Sequence, residues 1–132
     1  MSTIAKYDKP ILFSYTYPLP LSGAGKEHTL VGEIPPEQDT FAMEPGSKLL
    51  LKFPESSDAQ ETWTVKTEGK NLAVKDMGCT KEKNQNSAGG SGYHIFQLEI
   101  SGASGATPVH FVLTQFGKMV AEKTLKIETA YT

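Results

Sequence analysis

The stretch Ile95-Phe96-Gln97-Leu98-Glu99-Ile100, followed after a turn by Val109-His110-Phe111-Val112-Leu113, sets apolar against polar residues with a period close to two. That period belongs to a strand with one buried face, because successive side chains on an extended backbone point to opposite sides. The pattern recurs at Trp63 and Val65, at Leu72 and Val74, and at Leu125 and Ile127. Ile95, Phe96, Leu98, Ile100, Val109, Phe111 and Leu113 are therefore expected to face inward with them. Lys48-Leu49-Leu50-Leu51-Lys52-Phe53 is more apolar than strict alternation allows, which suits a central strand covered on both sides.

Working outward from these strands, the connections are turn-forming: Pro18-Leu19-Pro20, Ser22 to Gly25, Pro35-Pro36, Pro45-Gly46, Asn84 to Gly92, Gly102 to Pro108 and Gly117. Twelve glycines and eight prolines leave no uninterrupted window for a long helix. Short strands without a helix to make a parallel crossover imply an all-β fold, an antiparallel β-sandwich of seven to nine strands, with a closed barrel as its structural rival. Trp63, just beyond the polar segment Glu55 to Glu61, is the natural large side chain for the centre of the core.

The totals exclude several classes. A chain of 132 residues, 38% hydrophobic and 21% charged, is one domain with one core. Thirteen basic against fifteen acidic residues give a net charge of −2 with no dense run of Lys and Arg, which argues against nucleic acid. The apolar stretch Ile11 to Leu21 is broken by Pro18 and Pro20 and is too short to span a bilayer, so no membrane partner is expected. The opening Met1-Ser2-Thr3-Ile4-Ala5-Lys6 lacks the pattern of an export signal, which makes an intracellular setting the default expectation. Cys79 is the only cysteine, so stability comes from packing rather than from an internal disulfide.

The search for chemistry finds no motif. Gly25-Lys26 lacks both the Ser or Thr after the lysine and the glycine five positions earlier that a phosphate loop needs. Gly89-Gly90-Ser91-Gly92-Tyr93 fails as a nucleophile elbow at its fifth residue. His28, His94, His110 and Cys79 show no metal-ligand spacing, and no cofactor is expected. A Cys79/His94 pair is conceivable, against the simpler reading of a half-buried thiol beside a histidine on the next strand; His110 is expected to point outward. An enzyme would require a cleft holding His94 or His110 beside Cys79 or an acidic pair. The feature that stands out is the loop Asn84 to Gly92, whose glycines permit unusual backbone angles and expose amides to a partner.

Over about residues 39–128 the chain resembles the chagasin family, immunoglobulin-like protein inhibitors of papain-like cysteine proteases. The resemblance rests on the strand Lys48 to Phe53 ending at Pro54, the loop Glu55 to Glu61 leading to Trp63, the Gly-rich run Ser87 to Gly92 before Tyr93-His94-Ile95-Phe96, and the turn Gly102 to Gly105 before Val109 to Leu113. It implies an immunoglobulin-like sandwich whose three loops enter a protease cleft: Ser56, Ser57, Asp58, Ala59 and Gln60; Ser87, Ala88, Gly89, Gly90, Ser91 and Gly92; and Gln115, Phe116 and Gly117. The family's Asn-Pro-Thr-Thr-Gly is replaced by Ser56 to Gln60, and its Arg-Pro-Trp by Thr114 to Lys118, with Phe116 the aromatic. Residues 1–38 exceed the family's length and are expected to add edge strands. The alternative is an immunoglobulin-like protein-binding or adhesion module without protease inhibition.

Overall fold

The computed structural model describes residues 5–18, 27–56, 60–67, 72–81, 91–100 and 105–129. They form β1 (Ala5–Lys6), β2 (Ile11–Pro18), β3 (Glu27–Ile34), β4 (Thr40–Met43), β5 (Lys48–Ser56), β6 (Glu61–Thr67), β7 (Leu72–Lys81), β8 (Ser91–Ile100), β9 (Ala106–Gln115) and β10 (Lys118–Thr129). One sheet has the order β1-β10-β9-β6, with β4 also on β10; the other has the order β3-β2-β5-β8-β7. The fold is all-β and sandwich-like, with two sheets closing on one core.

Among the described residues there are ten strands, against the seven to nine expected. β1 and β4 are two and four residues long, too short to carry an alternating pattern. They also break the expected antiparallel rule, since both run parallel to β10. The chain starts on the β10 edge, crosses to the other sheet as the β2–β3 hairpin, and returns to the same edge as β4. Edge strands were expected from residues 1–38, and β1 and β3 are edges, but β2 lies inside its sheet between β3 and β5 and sends Ile11 and Tyr15 into the core.

Alternation decides what is buried. Phe96, Leu98, Ile100, Val109, Phe111, Leu113, Leu125 and Ile127 all lie in the core, and Leu49, Leu51 and Phe53 of β5, the neighbour of β8, join them. Lys48–Phe53 is central, as expected, yet it is fully covered on one face only, for Leu50 and Lys52 are half-buried. Ile95 also departs from expectation: it is half-buried on the outer side, and His94 takes the inward position in step with Phe96 and Leu98.

Trp63 is fully buried and anchors an aromatic cluster, with ring centroids 4.4 Å from Phe53 and 4.9 Å from Tyr7, while Phe53 lies 4.7 Å from Phe111. Each such pair adds about 0.5–1.5 kcal/mol beyond area burial. The indole N–H donates to the Pro54 carbonyl at 2.9 Å, so the polar edge of this large side chain is satisfied.

A second tie holds the crossing between sheets. Lys123, 1% exposed, donates from Nζ to the carbonyls of Pro36 at 3.0 Å and Gln38 at 2.6 Å and lies 3.3 Å from an Asp39 carboxylate oxygen. A buried ammonium requires such acceptors, and these three pin the link between β3 and β4. Hydrogen bonding from Lys123, then the charge of Lys6, holds the Asp39 carboxyl below its usual range.

Candidate functional site

Strand register locates the segments singled out in the sequence. Ser56, at the end of β5, pairs with Ser91 at the start of β8. Lys81, at the end of β7, pairs with Gly92. Glu61, at the start of β6, pairs with Gln115 at the end of β9, and Gln115 pairs in turn with Lys118. The chain therefore leaves and re-enters the sandwich at one pole for all three segments: 57–60, 82–90 and 116–117. Ser57, Asp58, Ala59, Ser87, Ala88, Gly89 and Gly90 lie outside the described residues. Ser56 and Ser91 are located by their backbone, and Gly92 is buried.

At the β9–β10 turn, Phe116 (φ 51°) and Gly117 (φ 79°) occupy the two central positions. Positive φ at both centres is the hairpin turn whose twist matches its strands, and Asn-Gly or Asp-Gly normally fills it. Phenylalanine there brings its Cβ close to the following carbonyl, and its ring is 63% exposed. Gln60, on the neighbouring turn, also has φ 51° and is exposed. Among the described residues these are the two non-glycine positions with positive φ, and both sit at this pole. Met119 and Val120, just after the turn, are 57% and 37% exposed.

Beneath the turns lies a polar floor not anticipated from the sequence. His94 Nδ1 is 2.8 Å from Glu55 Oε2, and Nε2 is 2.6 Å from Asp76 Oδ1. Both ring nitrogens are thereby engaged by carboxylate oxygens. The imidazole stacks on Phe96 at 4.6 Å and is 7% exposed. Glu55 Oε2 also accepts the Trp63 backbone N–H at 2.7 Å, which joins β5, β6 and β8 through one atom. Asp76 reaches the ring because the β7 register shifts between Asp76 and Cys79, where Gly78 has φ 81°. Desolvation opposes the Asp76 charge, but the Gly78 N–H and His94 outweigh it and hold its carboxyl below the usual range.

Cys79 pairs with His94 in register, yet both ring nitrogens go to carboxylates. Cys79 is exposed rather than half-buried. His110 is exposed, as expected, with Nδ1 3.0 Å from the Thr124 hydroxyl. Tyr7, where the chain leaves β1, adds its ring to the floor. Burial, then Glu61, Asp8 and Tyr93, pushes its phenol up to about 12.

Two depressions in the surface of the described residues lie away from this pole. One, of about 410 Å³, is lined by Lys6, Asp39, Thr40, Glu122, Thr124 and Lys126 along the β10 edge. The other, of about 550 Å³, is bordered by Val65, Lys66, Thr67, Val74 and His110. Among the described residues no group of three His, Cys, Asp or Glu side chains is arranged to hold a metal ion. Comparison with family models, with curated proteins and with solved structures returned no match.

Of the missed residues, His94 had one usable signal: it stands at the inward parity of Phe96 and Leu98. Asp76 had none, because its approach depends on a bulge.

Proposed function

We propose that this chain is an immunoglobulin-like, reversible inhibitor of papain-like cysteine proteases that presents segments 56–60, 87–92 and 115–117 from one pole. The observation that carries the reading is the register of Ser56 with Ser91 and of Glu61 with Gln115, which draws the three segments to a common end. Two strained, exposed non-glycine residues at that end add to it, since backbone strain persists where surrounding structure enforces it and often where function uses it.

Strand order supports the immunoglobulin-like assignment. β2, β5, β8 and β7 follow the A-B-E-D order of that fold, and β6, β9 and β10 follow C-F-G, with the buried Trp63 on the strand that would be C. On this reading β3 is an added edge and β4 covers the G strand. A rigid sandwich holding its contacts in advance loses little ordering entropy on binding.

The same reading makes the protein a binder rather than an enzyme. Both nitrogens of His94 are taken up by carboxylates and its ring is stacked and covered, so neither nitrogen faces a substrate. A second reading, a protein-binding or adhesion module without inhibition, draws on the apolar surface of Phe116, Met119 and Val120, which fits a partner of any class.

Titration of papain and of a cathepsin with the full chain separates the two. Reversible, stoichiometric loss of peptidase activity is expected; full activity at micromolar concentrations of the chain defeats the inhibitor reading and leaves the module.

A further inference from the structure

The open strand edges of the two sheets are not alike. β7 carries Lys75 and the bulge at Gly78, both of which disfavour pairing with another strand. β6 carries Glu61 and Lys66. The β10 edge is overlaid by β1 and β4. Among the described residues β3 has no bulge, no covering strand and no lysine, and its two charges, Glu27 and Glu33, stand near its ends. Its sequence, Glu27-His28-Thr29-Leu30-Val31-Gly32-Glu33-Ile34, contains no Lys and no Pro, and all eight residues pair with β2 without a register shift. Leu30 on one face is 46% exposed and Val31 on the other is 77% exposed, the largest exposure among the bulky apolar residues of the described chain.

We propose that β3 pairs edge to edge with β3 of a second copy of this chain, antiparallel, about a two-fold axis at Val31. Symmetry restricts the choice of register. Alternate residues of an edge strand turn their N–H and C=O outward, so a two-fold antiparallel pairing must place one residue opposite its own copy. Centring on Leu30 sets Glu27 against Glu33 of the second copy, twice, and like charges directly opposite destabilise a sheet. Centring on Val31 sets Val31 against Val31, Thr29 against Glu33 and Leu30 against Gly32, and moves Glu27 and Glu33 to the diagonal.

Gly32 makes this register fit. A Cβ at Gly32 would lie 3.1 Å from Cε2 of Phe13, so a side chain there would crowd the Phe13 ring. Leu30 of the second copy then lies over the bare backbone next to that ring. A single strand edge buries less than about 1,200 Å², so the dimer is weak and concentration-dependent.

Sedimentation velocity on the full chain from about 1 µM to about 1 mM tests the inference. The expected result is a monomer that becomes a dimer in the upper part of that range. Val31→Lys stays monomeric throughout, with unchanged circular dichroism because the side chain is exposed. Thr29→Lys, facing Glu33 of the second copy, dimerises several-fold more tightly. A wild-type chain that stays monomeric at the top of the range, or a Val31→Lys chain that dimerises like wild type, overturns the pairing; a Thr29→Lys chain no tighter than wild type overturns the register.

Discussion

The turn at Pro45-Gly46 and the turn at Phe116-Gly117 meet the same demand for positive φ in opposite ways. In the first, Gly46 takes φ 86°, and the polar groups around it are tied down. Ser47 is 1% exposed, and its N–H and hydroxyl donate to the Glu44 carbonyl at 3.1 and 2.6 Å. The Glu44 N–H donates to the Tyr15 hydroxyl at 2.8 Å. In the second, Phe116 takes φ 51° with its ring in solvent. Proline before glycine is what turn chemistry selects for stability; phenylalanine before glycine is not. One turn is arranged to hold the fold, the other to hold out a side chain, and Glu55 with His94 forms the support beneath the second.

Removing that support is the harshest way to test the contrast. Glu55→Ala strips the partner from both the Trp63 N–H and the buried His94 ring, and each buried polar group left unpaired costs about 1–3 kcal/mol. Urea denaturation measures it, and a cost near zero would mean that the floor carries no weight. The two turns themselves respond with opposite signs. Gly46→Ala costs about 1–2 kcal/mol, all of it conformational, since a Cβ there meets nothing within 4 Å. Phe116→Asn instead gains about 0.5–1 kcal/mol, because asparagine accepts the left-handed region, and under the proposed inhibitor function it weakens protease binding at least tenfold. Equal signs for the two substitutions would erase the difference between the turns.

The mildest test is acid. Asp76 and Asp39 have carboxyl groups held below their ordinary value of 3.8 in the folded state. A depressed carboxyl contributes stability that is complete above the unfolded value and is lost as pH falls through the folded one, so the melting temperature is expected to decline below about pH 4. Asp76→Asn should flatten the part of that decline that belongs to the loop-bearing pole, and Asp39→Asn the part that belongs to the β3–β4 link.

Much of this architecture was legible in the sequence. Alternation picked out the inward faces of β8, β9 and β10, and the lone tryptophan marked the centre of the core. What escaped notice has identifiable causes. β1 and β4 are shorter than one period of any pattern, and their parallel pairing follows from where the chain returns rather than from composition. Ile95 looked inward because it is apolar, although parity with Phe96 assigns the place to His94. Asp76 meets His94 through an extra residue in β7, and a bulge erases the period on which strand reading depends. Lys123 sits at an inward position of β10, where a charge is unexpected, and only the folded crossing segment supplies its acceptors.

Tyr7 has one further consequence. Its N–H is bound to the Glu122 carbonyl at 2.8 Å, and its ring stands edge-on to the single indole of the molecule. The ring of Tyr7 thereby covers the chain's only tryptophan, and release of residues 5–7 from the β10 edge is expected to admit water to the indole. Emission from Trp63 is then expected to report that release, so that fraying and global unfolding become separately visible in one spectrum.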